Sequence, residues 1–373
     1  MSAMNANLAD SGLQKRPGGA PFFSVAVACC DVAPYLDECL ASLLAQPFPD
    51  WECLLYVEES RDGTLEIAKK HAMGDPRIRV FEGPRTGSCS VPRNRCVEEA
   101  HGEYVVFLDG DDSLVPGALA RLADAIASRP GADIYPCAAQ FHDDRTGLDT
   151  EIRDNYPPDA PPELTGAEAT LLAESFRSYP TPMMQMTIIR RNFLLENRLS
   201  CIPGLRGQDR EFSPRALFAA RRVVPLHETF YIYRRRLGSV TVSAGNARLL
   251  TDQAIIHKSL FAFHASVRLL PGFDTRLTLC WARWWSRWMF HVWFSPRNVA
   301  LIPRARRLET LRELFSGGFG DFDALMAGSP LGRRVAAAWM RAFVGHPLLR
   351  PLAEWFFRLY FTLSQARDWR KTK

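Results

Sequence analysis

The stretch "YVVFLDGDDSL", Tyr104–Leu114, decides the fold: five apolar residues run straight into three carboxylates, Asp109, Asp111 and Asp112. An apolar run this short, bounded by aspartate and glycine, predicts a buried strand. The same pattern repeats upstream. "FFSVAVACC", "WECLLYV" and "RIRVFEG" predict strands, and each is followed by a segment with helical spacing: "DVAPYLDECLASLLAQ", "DGTLEIAKKHAMG" and "SVPRNRCVEEAHG". In the first of these, Leu36, Cys39, Leu40, Leu43 and Leu44 share one helix face. Strands alternating with helices of this length predict an α/β fold with right-handed crossovers and a mostly parallel sheet. Such sheets carry their sites beyond the carboxyl ends of the strands, where Asp31, Glu58, Glu59, Asp109 and Asp111 all fall.

Downstream the pattern loosens. Residues 141–166 are polar and proline-rich and predict a long loop. "MMQMTIIRR" and "RRVVPLHETFYIYRRR" predict strands around a helix over "DREFSPRALFAA". Beyond residue 245 helical spacing takes over, and tryptophan and arginine become frequent. The expected organisation is a disordered lead-in over 1–20, an α/β domain over 21–245 and a helical, basic and aromatic region over 246–373. The α/β domain divides into a regularly patterned half over 21–140 and a less regular half over 141–245.

Composition narrows the classes. With 47% hydrophobic and 23% charged residues, the 373-residue chain reads as globular. Nine cysteines occur without a CxxC or a zinc-like cysteine-histidine spacing, which predicts reduced thiols and a cytoplasmic setting. The first twenty residues lack the apolar core of a signal peptide, and no apolar run approaches the roughly 20 residues of a membrane span. The net charge of +5 is uneven: from Pro271 onward there are 17 Lys/Arg against 7 Asp/Glu, so this part carries +10 and the rest −5.

The acidic strand end has two readings. Asp109, Asp111 and Asp112 either cap a helix over "LVPGALARLADAIASR", or gather around a hard divalent cation that bridges to a diphosphate. One carboxylate suffices for a cap, and three together repel one another unless something positive joins them.

From Ser24 to about Thr241 the chain resembles an inverting glycosyltransferase of family 2, with the GT-A (Rossmann-like) fold. The resemblance rests on "SVAVACCDVAPYLDECLASLLAQPFPDWECLLYVEES" and on "DGTLEIAKKHAMGDPRIRVFEGPRTGSCSVPRNRCVEEAHGEYVVFLDGDDSL", with both the order and the spacing of the blocks agreeing. It implies that Asp109-Gly110-Asp111 is the DxD motif. Asp111 would then coordinate Mg²⁺ or Mn²⁺, and Asp109 would lie near the ribose and the metal shell. It further implies that Glu58 reads the nucleotide base, that Asp31 belongs to the nucleotide cradle, and that Arg93 of "PRNR" approaches the nucleotide. "RGQDREFSPRALFAARRVVPLHETFYIYRRRLGSVT" resembles the family's catalytic block, with Gln208 where a glutamate is usual. The base role is carried to Asp209, with Glu211 as the reserve and a helix N-cap as the plain alternative. The run Arg234–Arg236 with Ser239 resembles the segment that closes over the donor, where its cations would clamp phosphate oxygens.

The resemblance implies metal-dependent transfer of a sugar from a nucleotide-sugar, a UDP-sugar first, to a surface glycan or its lipid-linked precursor. The rivals are a sugar nucleotidyltransferase and a non-catalytic module of the same fold that binds glycan or membrane. The first lacks its glycine-rich, lysine-bearing loop in "ACCDVAPYL". In the tail, "CWARWWSRWMFHVWF" and "PLLRPLAEWFFRLYFTL" either form a packed helical subdomain or lie in a membrane interface on the inner face of the cell membrane. Arg350, Glu354 and Arg358 share one face of the second. The basic residues stand among bulky apolar ones, which argues against nucleic acid as a partner.

Overall fold

The computed structural model describes residues 19–177, 183–236, 247–327, 329 and 331–371. Most of the lead-in, and Ser239, lie outside the described residues. The chain forms two compact units, Met1–Ser239 and Val240–Lys373.

In the first unit the strongly patterned half folds as its periodicity dictates. Strands β1 (Phe23–Cys29), β2 (Trp51–Glu58), β3 (Ile78–Gly83) and β4 (Tyr104–Asp109) alternate with helices α1 (Ala33–Leu44), α2 (Thr64–Gly74) and α3 (Ser90–Glu99). Strands β1, β2 and β4 are apolar nearly throughout because they lie inside the sheet with both faces covered. All pairings among β1–β4 are parallel, in the spatial order β3-β2-β1-β4. The order therefore reverses between β1 and β4, where ligand crevices of such sheets open. Ala28 pairs with Asp109 in that register, so the acidic turn sits at this crevice. Trp51 opens β2 at the opposite end of the strand, with the Arg77 guanidinium 3.7 Å over its ring.

The second half departs from expectation. The helix expected from Leu114 begins only at Ala118, as α4 (Ala118–Ser128), after Gly117 in a left-handed conformation at φ +72°. Ser113–Leu114 instead form β5, so none of the three aspartates caps α4. After β6 (Ile134–Pro136), the expected long loop contains a hairpin, β7 (Ala138–Asp143) and β8 (Leu148–Arg153), turning at Gly147 with φ +66°. Helix α5 (Gly166–Arg177) follows. "MMQMTIIRR" divides into a 3₁₀ turn, Met184–Met186, and β9 (Thr187–Arg190), which pairs antiparallel with β4 and β6. After α6 (Arg191–Glu196) and α7 (Asp209–Ala219), the strand expected over residues 221–236 is confined to β10 (Thr229–Arg235). β10 joins β5, β7 and β8 in a second, four-stranded sheet.

The second unit is helical: α8 (Ala247–Val267), α9 (Thr275–Phe294), α10 (Pro296–Leu301), α11 (Arg304–Leu314), α12 (Gly320–Met326), α13 (Leu331–Gly345) and α14 (Arg350–Lys371). Asp274 caps α9 through its side chain. Trp281, Trp285 and Trp293 of α9 are at most 1% exposed, and the first two stack at 5.2 Å. The first aromatic stretch of the tail is therefore core of this unit.

Candidate active site

The crevice is built by two loops stitched together. Asp31 leaves β1 with φ +50°, a conformation aspartate tolerates better than most residues. Its carboxylate accepts from the Arg61 backbone N–H at 2.7 Å and from the Arg85 guanidinium, and its own N–H donates to Ser60 Oγ at 3.1 Å. The Arg61 N–H first, and Arg85 beside it, hold Asp31 below the usual carboxylate range. Asp62 and Thr64 in turn accept from the Ala33 and Val32 N–H groups, fixing the start of α1. Glu58, 2% exposed, ends β2 and accepts from the Thr86 N–H at 3.2 Å and from its hydroxyl. A cleft of about 440 Å³ at this edge is lined by Glu58, Glu59, Asp62, Glu66 and Glu82 among others. So many carboxylates disfavour an anionic group at this edge.

At β4 the protein supplies its own cations to the acidic turn. Asp109 Oδ1 accepts from Arg93 Nη2 at 2.6 Å, and Oδ2 accepts from Gln185 Nε2 at 2.6 Å. Arg93 is buried with its guanidinium spent inside the protein, Nη1 on Met184 Sδ at 3.6 Å and Nη2 on Asp109, so it acts on the crevice through Asp109 rather than by approaching a nucleotide directly. Burial works against its charge, and the Asp109 carboxylate more than offsets that. Asp112, also buried, accepts from the Tyr231 hydroxyl at 2.5 Å and from the Arg234 N–H at 2.7 Å. Tyr231 oxygen accepts in turn from the Asp109 N–H at 3.1 Å. Asp111 Oδ2 accepts from Arg236 Nε at 2.7 Å. Arg234 and Arg236 both lie over the Tyr35 ring, at 5.4 and 5.0 Å. Burial first, then the neighbouring carboxylates, pushes Asp111 and Asp112 up.

These pairings test the fit of a divalent cation. Both Asp109 oxygens and both Asp112 oxygens accept from protein donors, whereas Asp111 accepts from a single side chain. Among the described residues no group of three His, Cys, Asp or Glu is arranged to enclose a metal. The chemistry still fits Mg²⁺ or Mn²⁺, which take one or two carboxylates and complete their shell with phosphate and water. Asp111 is the carboxylate that would hold such an ion, because only its Oδ2 accepts from a protein side chain among the described residues, and Asp109 is held too firmly to be more than an outer neighbour.

Asp209 opens α7 as its first helical residue. The N-cap position is Gln208, without a side-chain cap bond, so the capping alternative for Asp209 fails. Gln208 Nε2 instead meets Cys89 Sγ at 2.9 Å, just ahead of α3. The charges of both Asp109 and Asp209 reach Cys89, whose thiol is pushed up to about 11, chiefly by burial. Asp209 therefore lies near Cys89, at the start of the helix from which Arg93 reaches Asp109, and it is half-buried with no hydrogen-bond partner among the described residues. Glu211 is 1% exposed and gripped through both oxygens by Arg215 at 2.7 Å, which disfavours the reserve assignment. Asn94 exchanges two 2.8 Å hydrogen bonds with Cys201, fixing the approach to α7.

Sequence reasoning missed Gln185, Tyr231, Arg85 and Thr86, and it gave Arg236 to phosphate rather than to Asp111. Arg85 and Thr86 directly follow β3, so the strand-end rule would have included them. Gln185 and Tyr231 carry no local signal.

The Glycosyl transferase family 2 profile matches residues 24–212. The chain is 30% identical over 316 residues to EpsH of Bacillus subtilis (strain 168), named as a glycosyltransferase, covering 82% of this chain and 89% of EpsH. It is 31% identical over 227 residues to EpsJ of the same organism and 30% over 198 residues to YibD of Escherichia coli (strain K12). Those matches cover 59% and 52% of this chain, and only 63% and 56% of the two relatives, less than two thirds of either. Among solved structures, S. aureus TarS 1–349 in complex with UDP-GlcNAc shares the GT-A architecture at a TM-score of 0.67. Its sequence is 21% identical, over 86% of this chain and 88% of that one, and the likeness is one of fold.

Proposed function

This chain belongs to glycosyl transferase family 2 and is a glycosyltransferase, and we propose that it transfers a sugar, with inversion, from a nucleotide-sugar to a glycan or lipid-linked glycan acceptor in surface polysaccharide biosynthesis. The donor is a UDP-sugar, and the site of action is the cytoplasm, at the inner face of the cell membrane. Family membership disposes of the nucleotidyltransferase alternative.

The observation that carries this reading is the division of labour among the carboxylates of one crevice. Among the described residues, both oxygens of Asp109 and of Asp112 accept from internal donors, Asp111 accepts through one oxygen from Arg236, and Asp209 has no hydrogen-bond partner. An inverting transfer needs the leaving diphosphate neutralised, the acceptor hydroxyl held behind the anomeric carbon, and its proton removed as it attacks. For the first of these Asp111 would hold a divalent cation, which would supply positive charge against the diphosphate. Asp209 accepts the hydroxyl proton, its carboxylate committed to no other group. Glu58, anchored by Thr86, receives the base, and Asp31 holds the loop beside it. Asp109, clamped by Arg93 and Gln185, presents a fixed edge to the ribose.

A panel of UDP-, GDP- and TDP-sugars, assayed for nucleotide release with and without Mn²⁺, tests the proposal. Release should require the cation, and Asp111→Asn should abolish the cation-dependent part while leaving the circular dichroism unchanged. Equal turnover by both proteins with and without Mn²⁺ would remove Asp111 from the metal role.

A further inference from the structure

The second aromatic stretch of the tail folds opposite to its charge pattern. Glu354 of α14, on the face it shares with Arg350 and Arg358, is 8% exposed and accepts from Arg307 at 2.5 Å and from Arg304 at 2.6 Å. Arg350 donates inward to the Phe343 carbonyl at 3.0 Å. The outward face is apolar instead. Leu352, Trp355 and Leu359 are 48%, 60% and 42% exposed and fall on one stripe of the helix. Leu348, on the turn leading in, is 94% exposed. Helix α13 packs beside α14, with Trp339 stacked on Phe356 at 5.5 Å. It too exposes an apolar stripe, Leu331, Val335 and Ala338.

Side chains this large are seldom left in water without a partner. Arg334 and Arg358 are exposed directly beside Val335 and Leu359. From residue 331 onward the sequence carries nine Lys/Arg against two Asp/Glu, and one of those two is the internally paired Glu354. We propose that the exposed stripes of α13 and α14 together form a docking surface for an anionic lipid bilayer. Leucine and tryptophan enter the acyl boundary, and the arginines reach headgroup phosphates. Among the described residues no helix is long and apolar enough to cross a membrane, so the contact lies in the interface. A second copy of the chain is the poorer occupant, because its matching face carries the same excess positive charge. The surface extends the lipid-linked acceptor reading to the element that meets the bilayer, yet binding there does not depend on which sugar the crevice transfers.

The test is co-sedimentation of the full chain with phosphatidylcholine vesicles, with and without phosphatidylglycerol, at low and high salt. Binding should require phosphatidylglycerol and weaken with salt. Leu352→Glu with Trp355→Glu, and separately Arg334→Glu with Arg358→Glu, should each lower the bound fraction at least about tenfold. Nucleotide release with a water-soluble acceptor should persist in both, which separates failure of docking from failure of catalysis. Should the first pair lose helical signal, Leu348→Ser, at a side chain almost wholly in solvent, should still reduce binding. Equal sedimentation with neutral vesicles, or undiminished binding by the folded variants, would overturn the proposal. So would a dimer that ignores vesicles and dissociates on Trp355→Glu, which would make the face an interface between copies.

Discussion

Asp209 and Glu211 stand two residues apart in the first turn of α7 and have opposite chemistry. Arg215 consumes Glu211, while Asp209 keeps its lone pairs for a substrate. Asp209→Asn should bind donor nearly normally and transfer sugar at least about 10²-fold more slowly, the scale of a lost general base. Glu211→Gln should instead lower thermal stability, by about 2 kcal/mol, because it leaves the partly buried Arg215 without its counter-charge. Steady-state kinetics and melting curves on the two variants decide the matter, and the reverse outcome would move the base by two residues. The positions of Asp31, Glu58, Asp109 and Asp111 were legible because strand ends are set by local patterning. Their partners were not. Gln185, Tyr231 and Arg236 reach the acidic turn across 76, 122 and 125 residues of sequence, and nothing near any of them announces the pairing.

Among the elements, β1 and β4 approach each other so closely at the crevice that the residue between the two motif aspartates has no room for a side chain. A Cβ on Gly110 would lie 2.6 Å from Cys29 Sγ and 3.1 Å from Val32 Cγ2. Gly110→Ala should therefore cost about 1–3 kcal/mol and displace Asp109 or Asp111. Cys29→Ala in the same chain should recover part of both the stability and the activity, since the tighter contact is with that thiol. Additive losses in the double variant would show that the glycine serves the backbone instead. The buried central strands were readable from composition because both of their faces are covered. The second sheet was readable only at β10, which falls within the strand expected over 221–236: β5 has two residues, and exposed β8 lacks an apolar face. The hairpin β7–β8 is held by its turn and by pairing rather than by hydrophobic periodicity.

The whole molecule joins units whose ionisable cores respond to pH with opposite sign. Burial depresses His264 to about 4 and also lowers His291, so both stay neutral in the folded C-terminal unit. Unfolded histidine binds its proton near the ordinary value, so the unfolded chain holds more protons in the window between. Stability of this unit falls as the solution is acidified through that window. In the first unit Asp111 and Asp112 retain protons above the ordinary carboxylate range, which favours the folded state on acidification. Native-state hydrogen exchange at about pH 5 against about pH 7 should show protection falling by about 1–2 kcal/mol across 247–371, with less change in the α/β unit. His264→Asn should flatten that dependence, and uniform loss across both units would refute it.

The placement of tryptophan has a spectroscopic consequence. Eight of the nine indoles belong to the helical unit, and Trp51 is the remaining one. Trp51 starts β2 and Glu58 ends it, so roughly 23 Å of extended strand separates that chromophore from the nucleotide edge, with Arg77 stacked on its ring. Intrinsic emission of this protein thus reports almost wholly on the helical unit. Filling the donor crevice should leave the emission spectrum nearly flat, and a denaturation curve followed at tryptophan wavelengths records mainly the helices, with the sheet contributing through buried Trp51 alone.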